Sequence, residues 1–197
     1  MKQETEAKFL HIYIDAIRQK LNAVGAQCTQ PMRLMQRAII DHPDMRLQYE
    51  KDAYIRVRDE GDKVTLTYKQ FTSLELGGAL ELETVVENFE TTIQIFEAAG
   101  LKTKSFQQSR RETWNIDGTE VVIDEWPWLD PYIEIEADDE ASIKQVASKL
   151  DLDWSQAIFG DVMVAYRAQY PRLQDSYGIG LLPKVMFNAP LPDIFTN

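Results

Sequence analysis

Three observations predict an antiparallel α+β chain, with its strands either open or closed into a barrel. Short segments of alternating apolar and charged residues recur from residue 2 to residue 137. Tight turn signals join some of them, Glu60-Gly61-Asp62 and Asp117-Gly118 being the clearest. Helical stripes are inserted between runs of strands and do not alternate with them regularly, which is not the pattern of a parallel sheet.

Residues 2–9 alternate and read as a strand. Apolar groups at Ile14, Ile17, Leu21 and Val24 predict a helix over 12–24, which Gly25 can end. Pro31 opens a segment whose part from Arg33 to Ile40 reads as a strand. Strands follow at 53–59, 63–70 and 79–87. Asn88 caps a helix over 88–99 that Gly100 closes. Strands at 104–116 and 119–125 flank the Asp117-Gly118 turn, and another covers 131–137. Asp138-Asp139-Glu140 opens a helix to about Leu150, and a last helix spans 161–169. The stretch 178–197 holds Pro183, Pro190 and Pro192 and reads mostly as loop. With no repeat or flexible linker, residues 1–170 are expected to form one domain and 171–197 an extension on or near it.

Composition narrows the function. The 197 residues carry 21 Lys+Arg and 32 Asp+Glu, a net charge of −11, with 44% hydrophobic residues. That balance is ordinary for a globular protein and argues against nucleic-acid or anionic-membrane binding over the general surface. One cysteine, Cys28, excludes an internal disulfide, and two histidines, His11 and His42, argue against zinc. A metal, if used, should be a hard oxygen-bound ion, Mg²⁺ or Mn²⁺. No apolar run is long enough to span a membrane, and Met1-Lys2-Gln3-Glu4 does not begin a signal segment, so a cytoplasmic location is expected.

The charges follow strand parity. Residues two apart share a face. Glu4, Glu6 and Lys8 lie opposite Thr5, Ala7 and Phe9, and Tyr54, Arg56 and Arg58 lie opposite Ile55 and Val57. Lys63, Thr65, Thr67 and Lys69 form another such face, as do Glu81 with Glu83, Glu120 with Val122 and Asp124, and Tyr132 with Glu134 and Glu136. A half-solvated sheet explains any one of these strands. Taken together, acid pairs and base pairs are denser than a wet face needs. If the strands close, the charged faces line a tunnel and the apolar faces carry the helices. Acid pairs can then hold divalent cations and base pairs the oxygens of a polyanion, which suits a metal-bound polyphosphate.

Glu4-Thr5-Glu6-Ala7-Lys8 resembles the N-terminal Glu-x-Glu-x-Lys motif of the CYTH domain family, the triphosphate tunnel metalloenzymes that include class IV adenylyl cyclases and thiamine triphosphatases. Arg56-Val57-Arg58, Leu66-Thr67-Tyr68-Lys69, Glu81-Leu82-Glu83, Arg110-Arg111, Asp124 and Glu134-Ile135-Glu136 resemble its later motifs, in the same order. The resemblance covers roughly residues 2–170. It implies an eight-stranded antiparallel β-barrel, the triphosphate tunnel, with helices packed outside. One departure is Ser109, where family members often carry a lysine two positions before the late arginine. Neighbouring strand residues face opposite sides, so only one of Arg110 and Arg111 should enter the tunnel, with Arg111 favoured.

The resemblance further implies the site. Glu4, Glu6, Glu83, Asp124, Glu134 and Glu136 would ligate Mg²⁺ or Mn²⁺. Lys8, Arg56, Arg58, Lys69 and one or both of Arg110 and Arg111 would bind the phosphates. Glu4, Glu6, Lys8 and Lys69 would form the catalytic set. The expected partner is a triphosphate-bearing small molecule: inorganic triphosphate, thiamine triphosphate or ATP. No nucleic acid or membrane partner is expected, and the protein should be a monomer or homodimer. The same tunnel serves hydrolysis and cyclisation. With no adenine-binding motif in the sequence, hydrolysis ranks ahead of cyclisation of ATP to cyclic AMP and pyrophosphate. Trp126-Pro127-Trp128 reads as a loop anchored by buried indoles, ahead of a base-stacking platform. A non-catalytic polyphosphate- or nucleotide-binding module is the remaining alternative.

Overall fold

The N-terminal strand is split at Thr5, and the split closes the barrel. Its first part, β1 (Lys2–Glu4), pairs with β6 (Ala79–Val86), while its second, β2 (Glu6–Phe9), pairs with β9 (Leu129–Glu136). These are the two ends of one sheet. Between them lie β3 (Gln27–Asp41), β4 (Ala53–Asp59), β5 (Val64–Phe71), β7 (Lys102–Ile116) and β8 (Thr119–Trp126), in the order β6-β5-β4-β3-β7-β8-β9. Every pairing around the ring is antiparallel. With β1 and β2 taken as one interrupted stave, the barrel has the eight staves that the resemblance implies. The computed structural model describes residues 1–174 and 177–196; the remainder of the expected extension, 175, 176 and 197, lies outside the described residues.

Most elements fall where the sequence places them. The hairpin between β7 and β8 turns on Asp117 and Gly118, both at positive φ (53° and 85°), as a tight two-residue hairpin turn requires. β3 is longer than expected, running past Pro31. Its register against β7 shifts between Cys28 and Gln30 and again between Gln30 and Arg33, because proline has no N–H to give the ladder. A short helix absent from the sequence reading, α2 (Arg46–Lys51), follows β3 after α1 (Ile14–Ala23). The buried Asp41 carboxylate accepts from the backbone N–H of Leu47 and Gln48 at 3.1 Å each, satisfying donors that α2 leaves open.

Of the three apolar clusters among the described residues, two lie on outward faces and the third borders the tunnel. α1 and α4 (Glu140–Lys149) cover Ala7, Phe9, Val121, Ile123, Ile133 and Ile135. α3 (Phe89–Ala98) covers Ala38, Ile40 and Val57. A third cluster joins α5 (Met163–Gln169) to Trp126, Tyr132, Leu173, Ile179, Val185 and Phe195. Among the described residues, 178–196 are mostly loop, as the prolines predict. They contain 3₁₀ turns at Ile179–Leu181 and Asp193–Phe195 and a two-residue strand, β10 (Lys184–Val185), parallel to β7. Among the described residues no helix is long and apolar enough to cross a membrane.

Candidate active site in the tunnel

The barrel interior is a cavity of about 1050 Å³, lined by the faces that strand parity singles out. Of the predicted residues, Glu4, Glu6, Lys8, Arg56, Arg58, Lys69, Glu83, Arg111, Asp124, Glu134 and Glu136 all line it. Arg110 does not. Its guanidinium lies 4.3 Å from the ring centroid of Phe187 and 3.6 Å from Glu125. It sits one residue from Arg111 on the same strand and therefore projects to the other side.

Register brings the residues together. Glu6 lies opposite Glu136, and Lys8 opposite Glu134. Arg111 lies opposite both Asp124 and Arg33. Lys69 lies between Tyr54 and Glu81, and Thr67 between Arg56 and Glu83. The acidic end is crowded. Lys8 Nζ lies 2.5 Å from Glu6 and 2.6 Å from Glu134, and it donates to the Gly160 carbonyl at 2.7 Å. Glu4 pairs with Lys69, whose Nζ is also 3.2 Å from Glu81. Burial, with Glu134 close by, pushes the Glu6 carboxyl up to about 8. Burial opposes the charge on Glu134 too, but Lys8 and Arg111 outweigh it and hold that carboxyl well below its ordinary range. Glu136 is pushed up to about 7 by burial and then by Glu4 and Glu120.

Arginines enter the cavity from the other strands. Arg111 grips Asp124 through Nε at 2.7 Å and Nη2 at 2.5 Å, and it reaches Glu134 at 2.9 Å. Arg56 donates to Thr67 at 3.1 Å and lies 3.5 Å from Glu83. Three contributors to this lining are absent from the sequence reading. Glu60 is buried and accepts from Arg58 Nε and Nη2 at 2.9 and 2.6 Å, so the hairpin loop feeds an acid back into the tunnel. Arg33 and Arg37 come from β3 and line the cavity with the rest. Their spacing of four places both on one strand face, which was the available signal; Met35 between them and Ile39 beyond, at the same parity, hid it. Ser109, the departure from the family pattern, is fully buried and accepts from Arg37 Nη2 at 2.7 Å. Asp161 also lines the cavity, and burial raises its carboxyl above the usual range.

The donor set fits a hard divalent ion. Glu4, Glu6, Glu134 and Glu136 all offer oxygen donors on adjacent inward faces, and the burial, followed by like charge, that raises Glu6 and Glu136 is what a cation would offset. In this arrangement Lys8 and Lys69 engage three of them. Among the described residues no three His, Cys, Asp or Glu side chains already converge as a metal cluster.

Known proteins share this architecture. A conserved hypothetical protein from Pyrococcus furiosus superposes with a TM-score of 0.65 at 18% identity, covering 78% of this chain and 94% of its own. A candidate adenylate cyclase from Vibrio parahaemolyticus gives 0.69 at 12% identity, covering 83% and 97%. A candidate adenylyl cyclase from Hippeastrum, whose dominant activity is triphosphatase, gives 0.58 at 13% identity, covering 84% and 96%. At such identities these are likenesses of fold. A comparison with curated proteins gives no match. The family model described as the CYTH domain matches residues 2–157. The chain therefore belongs to the CYTH domain family, whose triphosphate tunnel enzymes are metal-dependent triphosphatases or adenylate cyclases.

Proposed function

We propose that this protein hydrolyses inorganic triphosphate, or a small organic triphosphate such as thiamine triphosphate, inside the tunnel. The observation that carries the reading is one barrel interior in which clustered carboxylates and cations from several strands face each other at ion-pair distance. Lys8, Arg56, Arg58, Lys69 and Arg111 bind the phosphate oxygens, with arginine able to grip two at once. Glu4, Glu6, Glu134 and Glu136 hold Mg²⁺ or Mn²⁺, which supplies charge neutralisation and an activated water when bound. Asp124 keeps Arg111 in place through two hydrogen bonds, and Glu83 stands beside Arg56 and Thr67. Phosphoryl transfer asks mainly for such positioning and charge balance. Residues 171–197 act as an extension of the 1–170 domain that walls part of the tunnel, a reading supported by residues 177–180 along its lining.

One observation favours hydrolysis over cyclisation. Trp126 lines the tunnel, but the Arg37 guanidinium already lies 4.3 Å from its ring centroid, so that face is not open to an adenine. Trp128 points elsewhere, donating to the Ala189 carbonyl at 2.9 Å and packing on Phe195.

The test measures phosphate release from triphosphate, thiamine triphosphate and ATP with Mg²⁺ or Mn²⁺, and cyclic AMP in parallel. Phosphate release is expected, and cyclic AMP without it would overturn hydrolysis. Binding with no turnover of any of them would identify a sensor. Glu6→Gln is expected to abolish metal-dependent turnover while leaving the fold intact; surviving activity would remove Glu6 from the metal set.

A further inference from the structure

Arg37 differs in its surroundings from the other tunnel cations described above. Lys8, Arg33, Arg56, Arg58, Lys69 and Arg111 each have a carboxylate oxygen in ion-pair contact. Among the described residues Arg37 has none. Its residue is 7% exposed. Nη2 donates to the neutral Ser109 hydroxyl, the guanidinium stacks on Trp126, and Nε has no hydrogen-bond partner. Its cross-strand neighbours are Arg58 on one side and Gln107 on the other. Gln107 brings no charge and is itself engaged, donating to Ser105 at 3.1 Å. Burial first, and then Arg58, Arg56 and Arg111, lower the Arg37 guanidinium to about 9.

A buried cation beside other cations, with an orphaned donor, no carboxylate in contact and only Asp124 farther off to favour its charge, is costly to fold around. The usual compensation, an acid on a neighbouring strand, is missing. The side chain lines the cavity, so the missing partner can come from solution. We infer that Arg37 is a further substrate-binding residue, with its free Nε–H and the adjoining Arg58 forming a subsite for non-bridging oxygens of a phosphoryl group. The inference rests on the reading of the tunnel as a triphosphate site and adds to it a sixth clamp residue, from β3. In this role Trp126 and Ser109 orient the guanidinium, and the indole is a support for the cation instead of a base platform.

Two measurements test it: thermal unfolding of the full chain with and without inorganic triphosphate, and KM for triphosphate with Mg²⁺. Arg37→Gln is expected to unfold without ligand at or above the wild-type temperature, because it removes an uncompensated charge. It should lose most of the stabilisation by triphosphate and raise KM at least tenfold. A purely structural Arg37 gives the reverse: a lower melting temperature without ligand, with the triphosphate shift and KM unchanged. That result overturns the inference. Arg37→Lys keeps the charge but not the fork, and an intermediate loss of the triphosphate shift is expected. A wild-type shift in Arg37→Lys together with an unfolded Arg37→Gln would also overturn it. The underlying reading fails separately. If wild-type protein turns over no triphosphate, yet triphosphate stabilises it and not Arg37→Gln, the subsite stands and the proposed enzyme does not.

Discussion

Glu136 shows the pH dependence that burial builds into the carboxylate end. Its carboxyl is pushed up to about 7 by burial, Glu4 and Glu120, so the folded protein holds a proton there that the unfolded chain, near 4.5, releases. The contribution of Glu136 to folding is therefore fully present below pH 4.5 and is lost as pH rises through about 7. Glu136→Gln removes the ionisation. In metal-free buffer at pH 8 it should stabilise the protein by about 1 kcal/mol, after allowing for the partial exposure of Glu136, and by nothing at pH 4. Chemical denaturation at the two pH values checks this; equal effects at both would place the strain elsewhere. Arg111 and Arg110 illustrate how far a single sequence can be read at this scale. Parity says that one arginine enters, and the bidentate contact with Asp124 shows that it is Arg111. Parity could not show Glu60 closing on Arg58, because a turn residue has no strand face to assign.

At the scale of elements, strong local signals were legible and long-range ones were not. Asn88 is a clear cap, and its side chain accepts from Thr91 N–H at 2.8 Å at the start of α3. Asn88→Ala should cost about 1 kcal/mol of stability. Because α3 packs outside the barrel, KM for any triphosphate should not change; a raised KM would mean that α3 shapes the tunnel. The Asp117-Gly118 hairpin was equally plain. By contrast α2 was invisible, since its six residues carry no full apolar stripe and its open N–H groups are met by Asp41, on the preceding strand. β3 was only half seen. Pro31 reads as a break, yet two register shifts let the strand run through it. Arg33 and Arg37 fall inside the predicted strand, but Met35 and Ile39 share their parity, so that face did not read as a charged one.

The whole molecule is a barrel whose polar side is inside, and that inversion was readable because several strands carry the same charged parity. Ring order and the role of the C-terminal segment depend on partners far apart in sequence. Phe195 is an example. It stacks on Tyr166 at 5.3 Å and packs on Tyr170 at 4.8 Å and Trp128 at 6.0 Å, tying the end of the chain to α5 and the β8–β9 turn. Phe195→Ala should cost about 3 kcal/mol, measured by denaturant unfolding; a change under 1 kcal/mol would mean that the segment is held elsewhere. The split at Thr5 has a consequence in time. Glu4 and Glu6 lie on the first strand to be made, yet β2 has no partner until β9 exists, more than 120 residues later. Sealing of the ring, and with it the assembly of the acidic end of the tunnel, is expected late in folding. An ion that binds those carboxylates therefore acts as a latch on the seam: it should slow unfolding by holding β2 to β9, while leaving the earlier pairing of β4 with β5 to form at its own rate.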